Sequence, residues 1–243
     1  MTDSGLPRWL RATELDEANF AAFRQRVMAF EEQPAPHEPR SYPGYPTVTL
    51  PRSKRRWRPA LDQALAQRRS ARELSDRPLS RSTLATLLER GHGLTASEGR
   101  GPAPSAGKLC AVELYVTPFA PGWLPIGSYH YDRPSHELRQ VAESGDREQW
   151  SEIVPSLGQF AGGSLLLILV GEEGRVAAKY GPRAIRLMLL EAGHVMQNLC
   201  LVASSLNSCA LPLGGFFERE IGRRLGVPTT DSVLYVGAVG LLP

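Results

Sequence analysis

The sequence predicts an α+β fold, and three observations carry that prediction. Segments 111–117 and 129–132 read as strands, and 164–170 is an apolar run suited to a strand buried on both faces. A single helical period runs from about residue 182 to 206, with Ile185, Leu189, Ala192, Val195, Met196, Leu199 and Val202 on one broad face. Helices and strands also follow one another without the strict βαβ alternation of a doubly wound sheet. No internal repeat is evident.

Bulk properties exclude several classes. Of 243 residues, 42% are hydrophobic and 22% charged, too apolar for a disordered chain. The run 165–170 is far short of the roughly 20 residues a spanning helix needs. The first residues, Met1-Thr-Asp-Ser-Gly, open a polar segment without a secretory signal's apolar core, so a cytoplasmic protein is expected, with no membrane partner. Cys110, Cys200 and Cys209 show no metal-binding or disulfide spacing and are expected as free thiols. The net charge of +3 is mild, and the one dense basic run, 52–58, reads as a solvated segment, so no nucleic-acid partner is expected.

The elements follow in order. Phe20, Phe23, Val27 and Phe30 recur at helical spacing within 18–32, and the Pro-rich stretch 34–51 predicts an extended arm. Thr47-Val-Thr-Leu50 alternates weakly, and a short helix is expected from Pro59 to about Arg68. Ser80 is placed to cap a helix through Leu84, Leu87 and Leu88 that stops at Gly91, taken as a positive-φ terminator. Beyond the long helix, Leu211-Pro-Leu-Gly-Gly215 reads as a loop, 218–225 as a short helix and 233–239 as a closing strand.

Five constellations carry chemistry. Arg68-Arg-Ser-Ala-Arg72 gathers three guanidinium groups and a hydroxyl, a set suited to phosphate oxygens and equally to a solvated helix end. Ala103-Pro-Ser-Ala-Gly-Lys108, with Ser105 and Gly107, leaves backbone N–H groups open to a ligand or makes a tight turn. Pro212-Leu-Gly-Gly-Phe216 lets backbone approach a flat or bulky group through Gly214 and Gly215. Lys179-Tyr180 is a potential acid/base pair, because an ammonium beside a phenol favours the phenolate. Glu191-Ala-Gly-His-Val-Met-Gln-Asn198 sets four polar residues in an apolar helix, as a core network or an active-site feature. His92, His130 and His136 lack metal spacing, so no metal is expected. Dinucleotide-binding, Walker, zincin and nucleophile-elbow motifs do not occur in the sequence.

Together and in order, these pieces resemble the FMN-dependent nitroreductase superfamily, specifically its SagB-type azoline dehydrogenases, over roughly residues 40–243. The segments that carry the resemblance are Tyr42-Pro-Gly-Tyr-Pro-Thr-Val-Thr-Leu-Pro51, Arg68-Arg-Ser-Ala-Arg72, Ala103-Pro-Ser-Ala-Gly107 with Glu113-Leu-Tyr-Val116, Gly127-Ser-Tyr-His-Tyr-Asp132, Lys179-Tyr-Gly-Pro-Arg183, Glu191-Ala-Gly-His-Val-Met-Gln-Asn198 and Pro212-Leu-Gly-Gly-Phe216. The resemblance implies a mostly antiparallel central sheet flanked by helices, in an interlocked homodimer with FMN at the interface. It divides the chain into an N-terminal helix and Pro-rich arm (1–40) and an FMN-binding domain (41–243).

By the same resemblance, Arg68, Arg69, Ser70 and Arg72 bind the FMN phosphate and ribityl side, with an Arg reaching the pyrimidine edge. Ser105 and Gly107 border the flavin, and Gly214 and Gly215 bring backbone donors to its N5/O4 edge. Lys179 and Tyr180 serve the dehydrogenation of a thiazoline or oxazoline to the aromatic azole, one of them removing the ring α-proton. A modified peptide is the implied substrate, a cyclodehydratase the implied partner, and O₂ the implied oxidant of the flavin. Lys108-Leu-Cys-Ala111 departs from the aromatic-proline continuation common in the family, and the chain lacks a basic C-terminal tail. Alternatives are a flavin oxidoreductase of the same fold acting with NAD(P)H or O₂ on another substrate, such as a carrier-bound or cyclic dipeptide or a nitro or quinone compound reduced with NAD(P)H, and a scaffold subunit without catalysis.

Overall fold

The computed structural model describes residues 10, 12–32, 40–52, 61–95, 100–119, 121–143 and 145–243. Residues 33–39 of the Pro-rich arm and 53–58 of the basic run lie outside the described residues. Seven strands, β1 (Thr47–Thr49), β2 (Val112–Pro118), β3 (Ser128–Asp132), β4 (Glu137–Ala142), β5 (Leu165–Gly171), β6 (Ser208–Leu213) and β7 (Ser232–Leu241), form one sheet in the order β1-β4-β3-β2-β5-β7-β6. Every neighbouring pair is antiparallel. The helices are α1 (Glu17–Glu32), α2 (Leu61–Gln67), α3 (Arg81–His92), α4 (Arg147–Ser151), α5 (Glu173–Tyr180), α6 (Ala184–Ser204) and α7 (Glu218–Leu225). This is the α+β class the element order predicts.

The unbroken apolar run of β5 has a simple cause: successive side chains point to opposite faces, and both faces are covered. Leu165, Leu167 and Leu169 pack with Leu84, Leu87 and Leu88 of α3 and Val195, Met196 and Leu199 of α6. Leu166, Ile168 and Val170 face Trp150, Leu157 and Ile221 on the other side. By length and composition alone Glu173–Ser204 could cross a bilayer, but 44% of its most apolar window is buried inside the chain. Leu189 and Leu190 on α6 remain 45% and 61% exposed.

Two sequence readings need correction. Ser80 caps α3 as expected, its side chain accepting from the Thr83 N–H, but the helix runs past Gly91 to His92, and Gly91 carries no positive φ. Glycine is needed at 91 because a β-carbon would stand 2.4 Å from Leu199 Cδ2. The stretch from Leu211 is also no free loop: Ser208–Leu213 pairs with β7. Pro212 is tolerated because β6 is the sheet's edge strand and needs N–H donors on one side only.

Residue α1 positions Phe23, Val27 and Phe30 are half-buried, spaced four and three apart as one helical face, and α1 lies on α5 through that face.

Candidate active site

The loop between α3 and β2 is held from below by α6. Ser105 Oγ donates to Glu191 Oε2 at 2.6 Å and accepts from the Cys110 N–H at 2.8 Å, while Glu191 Oε1 accepts from the Val112 N–H at 3.3 Å. One buried carboxylate thus stitches the loop to the first residue of β2. Burial pushes the Glu191 carboxyl above its ordinary range, against the opposing pull of those two donors. Of the polar residues flagged on this helix, Glu191 alone is buried; Asn198 is half-buried, and His194 and Gln197 are exposed.

The loop itself is tightly wound. Gly107, Lys108 and Cys110 have φ of 58°, 58° and 49°, a left-handed conformation that costs a non-glycine residue about 1 kcal/mol or more. A β-carbon on Gly107 would lie 2.7 Å from the Tyr180 hydroxyl and 3.3 Å from Lys179 Nζ. The loop glycine and the Lys179-Tyr180 pair therefore share one small space. One turn earlier on α5, Arg175 bonds the Cys110 carbonyl and pairs with Glu113 Oε1 at 3.1 Å, tying the helix to the same loop. Glu113 is buried. Burial alone would raise its carboxyl, but the His130 hydrogen bond at 2.8 Å, with Arg175 adding, brings it down to about 2.

The other predicted residues lie at two further places on the sheet's edge. After α2, the Arg69 carbonyl accepts from Cys209 Sγ of β6 at 3.2 Å, and the Arg72 carbonyl accepts from the Ala161 N–H at 3.0 Å. Gly215, just beyond β6, donates its N–H to Ser156 Oγ at 2.9 Å, so 68–72 is fastened near the start of β6, at Cys209, and Gly214-Gly215 beyond its other end, after Leu213. Arg69, Ser70 and Arg72 are exposed and Arg68 is half-buried. Among the described residues no carboxylate lies within ion-pair distance of these three arginines. A β-carbon on Gly214 would meet nothing within 4 Å. Uncompensated guanidinium groups form a surface ready for an anion.

The 68–72 segment and the loop that faces Lys179-Tyr180 are anchored at opposite ends of the sheet. Val112 pairs with Gly171, which pairs with Ser232, whereas Cys209 pairs with Gly240 at the far end of β7. The residue steps from Ser232 to Gly240, at about 3.3 Å each, separate the level of Val112, where the loop of Ser105 and Gly107 is anchored, from that of Cys209, where Arg69 is held, by about 26 Å along the strands. Glu31, whose Oε1 lies 2.9 Å from Lys179 Nζ, escaped the sequence reading, because the two are 148 positions apart and no local pattern links them. Among the described residues no group of three or more His, Cys, Asp or Glu side chains is placed to hold a metal ion.

Comparison with known proteins places this architecture. The chain is similar to a provisionally named nitroreductase of Methanocaldococcus jannaschii, 32% identical over 164 residues that cover 66% of this chain and 81% of that protein. Its fold is similar to that of a provisionally named nitroreductase from Ralstonia eutropha, with a TM-score of 0.71, 24% identity, and coverage of 81% of this chain and 90% of that one. It is also similar to a chain of the Escherichia coli microcin synthetase McbBCD complex, solved with truncated pro-MccB17 bound, with a TM-score of 0.66, 20% identity and 98% of each chain covered. A more distant structural neighbour is an oxidoreductase containing FMN, with a TM-score of 0.53, 19% identity, and 79% and 80% coverage. The model of the nitroreductase family matches residues 65–241, and the chain belongs to that family.

Proposed function

We propose that this protein is an FMN-dependent oxidoreductase that dehydrogenates thiazoline or oxazoline rings of a modified peptide to thiazoles or oxazoles. One observation carries the reading: Lys179 and Tyr180 crowd together against Gly107, in a loop whose backbone is strained into place. Removing a carbon-bound ring proton requires a positioned base. An enzyme that only reduces its substrate, taking protons from water, has less need of such a pair. Similarity to the microcin synthetase chain along nearly its whole length supports a peptide-tailoring setting with a cyclodehydratase alongside.

The residues present suit FMN. Arg68, Arg69, Ser70 and Arg72 offer exposed, uncompensated cations and a hydroxyl to its phosphate and ribityl side, and Gly214 leaves room for a flat ring system. Ser105 and Gly107 border the flavin from the other group of residues. Gly215 and Ser105 act here as framework, since the N–H of one and the hydroxyl of the other are committed within the chain. When bound, FMN supplies the acceptor for the hydride leaving the ring. Because the anchor of the 68–72 segment at Cys209 and that of the acid/base loop at Val112 lie about 26 Å apart along the strands, a complete site draws one group from each of two copies. The exposed Leu189 and Leu190 on α6 are apolar surface suited to such a homodimer.

The test is a visible spectrum of the purified protein, then incubation with an azoline-containing peptide and mass measurement. Flavin bands and loss of one H₂ per ring are expected, with Lys179→Ala and Tyr180→Phe abolishing the mass change while retaining FMN. A flavin-loaded protein that reduces nitro or quinone compounds with NAD(P)H and ignores azolines would instead favour the activity suggested by the name of the Methanocaldococcus relative. A colourless protein that cannot take up FMN would make it a scaffold.

A further inference from the structure

The N-terminal helix reaches the acid/base pair directly. Glu31 Oε1 lies 2.9 Å from Lys179 Nζ, the Phe30 ring lies under the same ammonium at 5.6 Å, and Phe23 stacks on Tyr180 with centroids 6.2 Å apart. Lys179 is only 7% exposed, so its charge is largely removed from water and depends on what surrounds it. The titratable groups that act on it most strongly are Glu31 from α1 and Tyr180 from its own helix. We infer that Glu31 is a positioning residue for the proposed dehydrogenation: its carboxylate holds Lys179 as an ammonium beside Tyr180, leaving Tyr180 to accept the proton.

The argument is one of donors and acceptors. An ammonium has three N–H donors and no lone pair, so a lysine kept charged cannot act as the base. The Glu31 hydrogen bond raises the Lys179 pKa above its ordinary value, outweighing burial, which pulls the other way, and Tyr180 adds to the rise. The tyrosine oxygen is then the remaining acceptor at this point of the site. In the step, the Tyr180 hydroxyl first gives its own proton to water, the ring α-carbon–hydrogen bond breaks, and the ring proton passes to the Tyr180 oxygen. The electron pair left on carbon forms the ring double bond as hydride departs from the adjacent carbon to the flavin of the proposed function. Glu31 touches neither substrate nor cofactor. Its part is to fix the protonation state and place of Lys179, and α1 becomes a working portion of the site rather than an appendage.

This inference rests on the dehydrogenase reading, and its test separates the two. The chain has three lysines, Lys54, Lys108 and Lys179, so selective ¹³C-lysine labelling of the FMN-loaded protein yields three Cε titrations, assigned with Lys54→Arg and Lys108→Arg. Glu31→Gln is expected to lower the Lys179 midpoint by about half a pH unit, the size of a partly exposed ion pair. It should lower kcat for azoline oxidation about tenfold with KM and FMN content little changed, and Glu31→Asp should restore most of both readouts. Glu31 is 61% exposed, so neither variant disturbs the core, and circular dichroism checks that. An unchanged Lys179 titration in Glu31→Gln would overturn the ion pair, and a shifted titration with unchanged kcat would overturn its role. A flavin-loaded wild-type protein that leaves azolines untouched refutes the dehydrogenase reading and this role with it, even where the titration establishes the pairing.

Discussion

Gly107 and Tyr180 meet across a gap that excludes a methyl group: a β-carbon at 107 would stand 2.7 Å from the tyrosine hydroxyl. Gly107 also has φ of 58°, so alanine there carries two penalties, about 1 kcal/mol or more of backbone strain and the clash itself. Tyr180 cannot swing freely away, because its ring is stacked on Phe23. Gly107→Ala is expected to lower stability to urea by about 1–2 kcal/mol and to depress azoline oxidation strongly while FMN stays bound. A destabilised variant with undiminished turnover would show that the place of the Tyr180 hydroxyl is immaterial.

The separation of the phosphate-type group from the acid/base group makes a complementation experiment decisive. Arg68→Ala with Arg72→Ala should cut FMN occupancy, because Arg72 is exposed, Arg68 half-exposed, and neither has a carboxylate partner among the described residues. Lys179→Ala should abolish turnover with flavin retained. If each site takes one group from each copy, co-expression gives mixed dimers in which one site has both groups intact and the other has neither. Random mixing then recovers about a quarter of wild-type activity. Recovery of nothing, with both variants folded and mixed, would mean that both groups serve a site within one chain.

How much of this was legible in the sequence depends on range. β5 and α6 announce themselves because each carries its own period, an apolar run for a strand covered on both faces and a sustained helical stripe. β6 did not, because Pro212 reads as a breaker and its tolerance depends on an edge position that only the sheet order reveals. The arginine cluster and the Gly214-Gly215 pair are local and stood out. The commitment of Ser105 to Glu191, 86 positions away, and of Lys179 to Glu31, 148 away, has no local signature. Gly91 was read as a terminator because glycine usually ends helices, whereas the contact that requires it comes from Leu199.

That contact supplies a stability test remote from the chemistry. A β-carbon at 91 would stand 2.4 Å from Leu199 Cδ2 and 2.9 Å from its Cγ, and Leu199, on α6, is fully buried against α3 and the sheet. Gly91→Ala should therefore destabilise by about 1–3 kcal/mol through overpacking, outweighing the helix propensity gained. Combining it with Leu199→Ala should cost less than the two changes added separately, because the second removes what the first strikes. Strict additivity would mean the helices slide apart rather than clash.

Acid sensitivity should trace to His92. Its ring is buried, Nε2 lies 2.9 Å from the Val112 carbonyl, and its pKa is pushed down to about 3, by burial first and by Arg133 second, with Glu113 opposing. The unfolded chain protonates this histidine near 6.5 and the folded chain near 3, so between those values unfolding takes up a proton and stability falls as the pH drops, at up to about 1.4 kcal/mol per pH unit. Glu113, ordinarily near 4.5 and held at about 2, works in the same direction but lower, between 4.5 and 2. Glu191 and Glu172, whose carboxyls burial raises, act above 4.5 with the opposite sign but equally in wild type and variant, so the difference between the two proteins from 6.5 to 4.5 isolates His92. His92→Gln keeps a side-chain N–H for Val112 and removes the titration. Its stability in urea should decline less steeply than wild type across that interval, with a residual slope from His136, whose pKa burial also lowers. Parallel declines in the two proteins would mean that His92 is not held neutral by the fold, and that acid acts first through other groups.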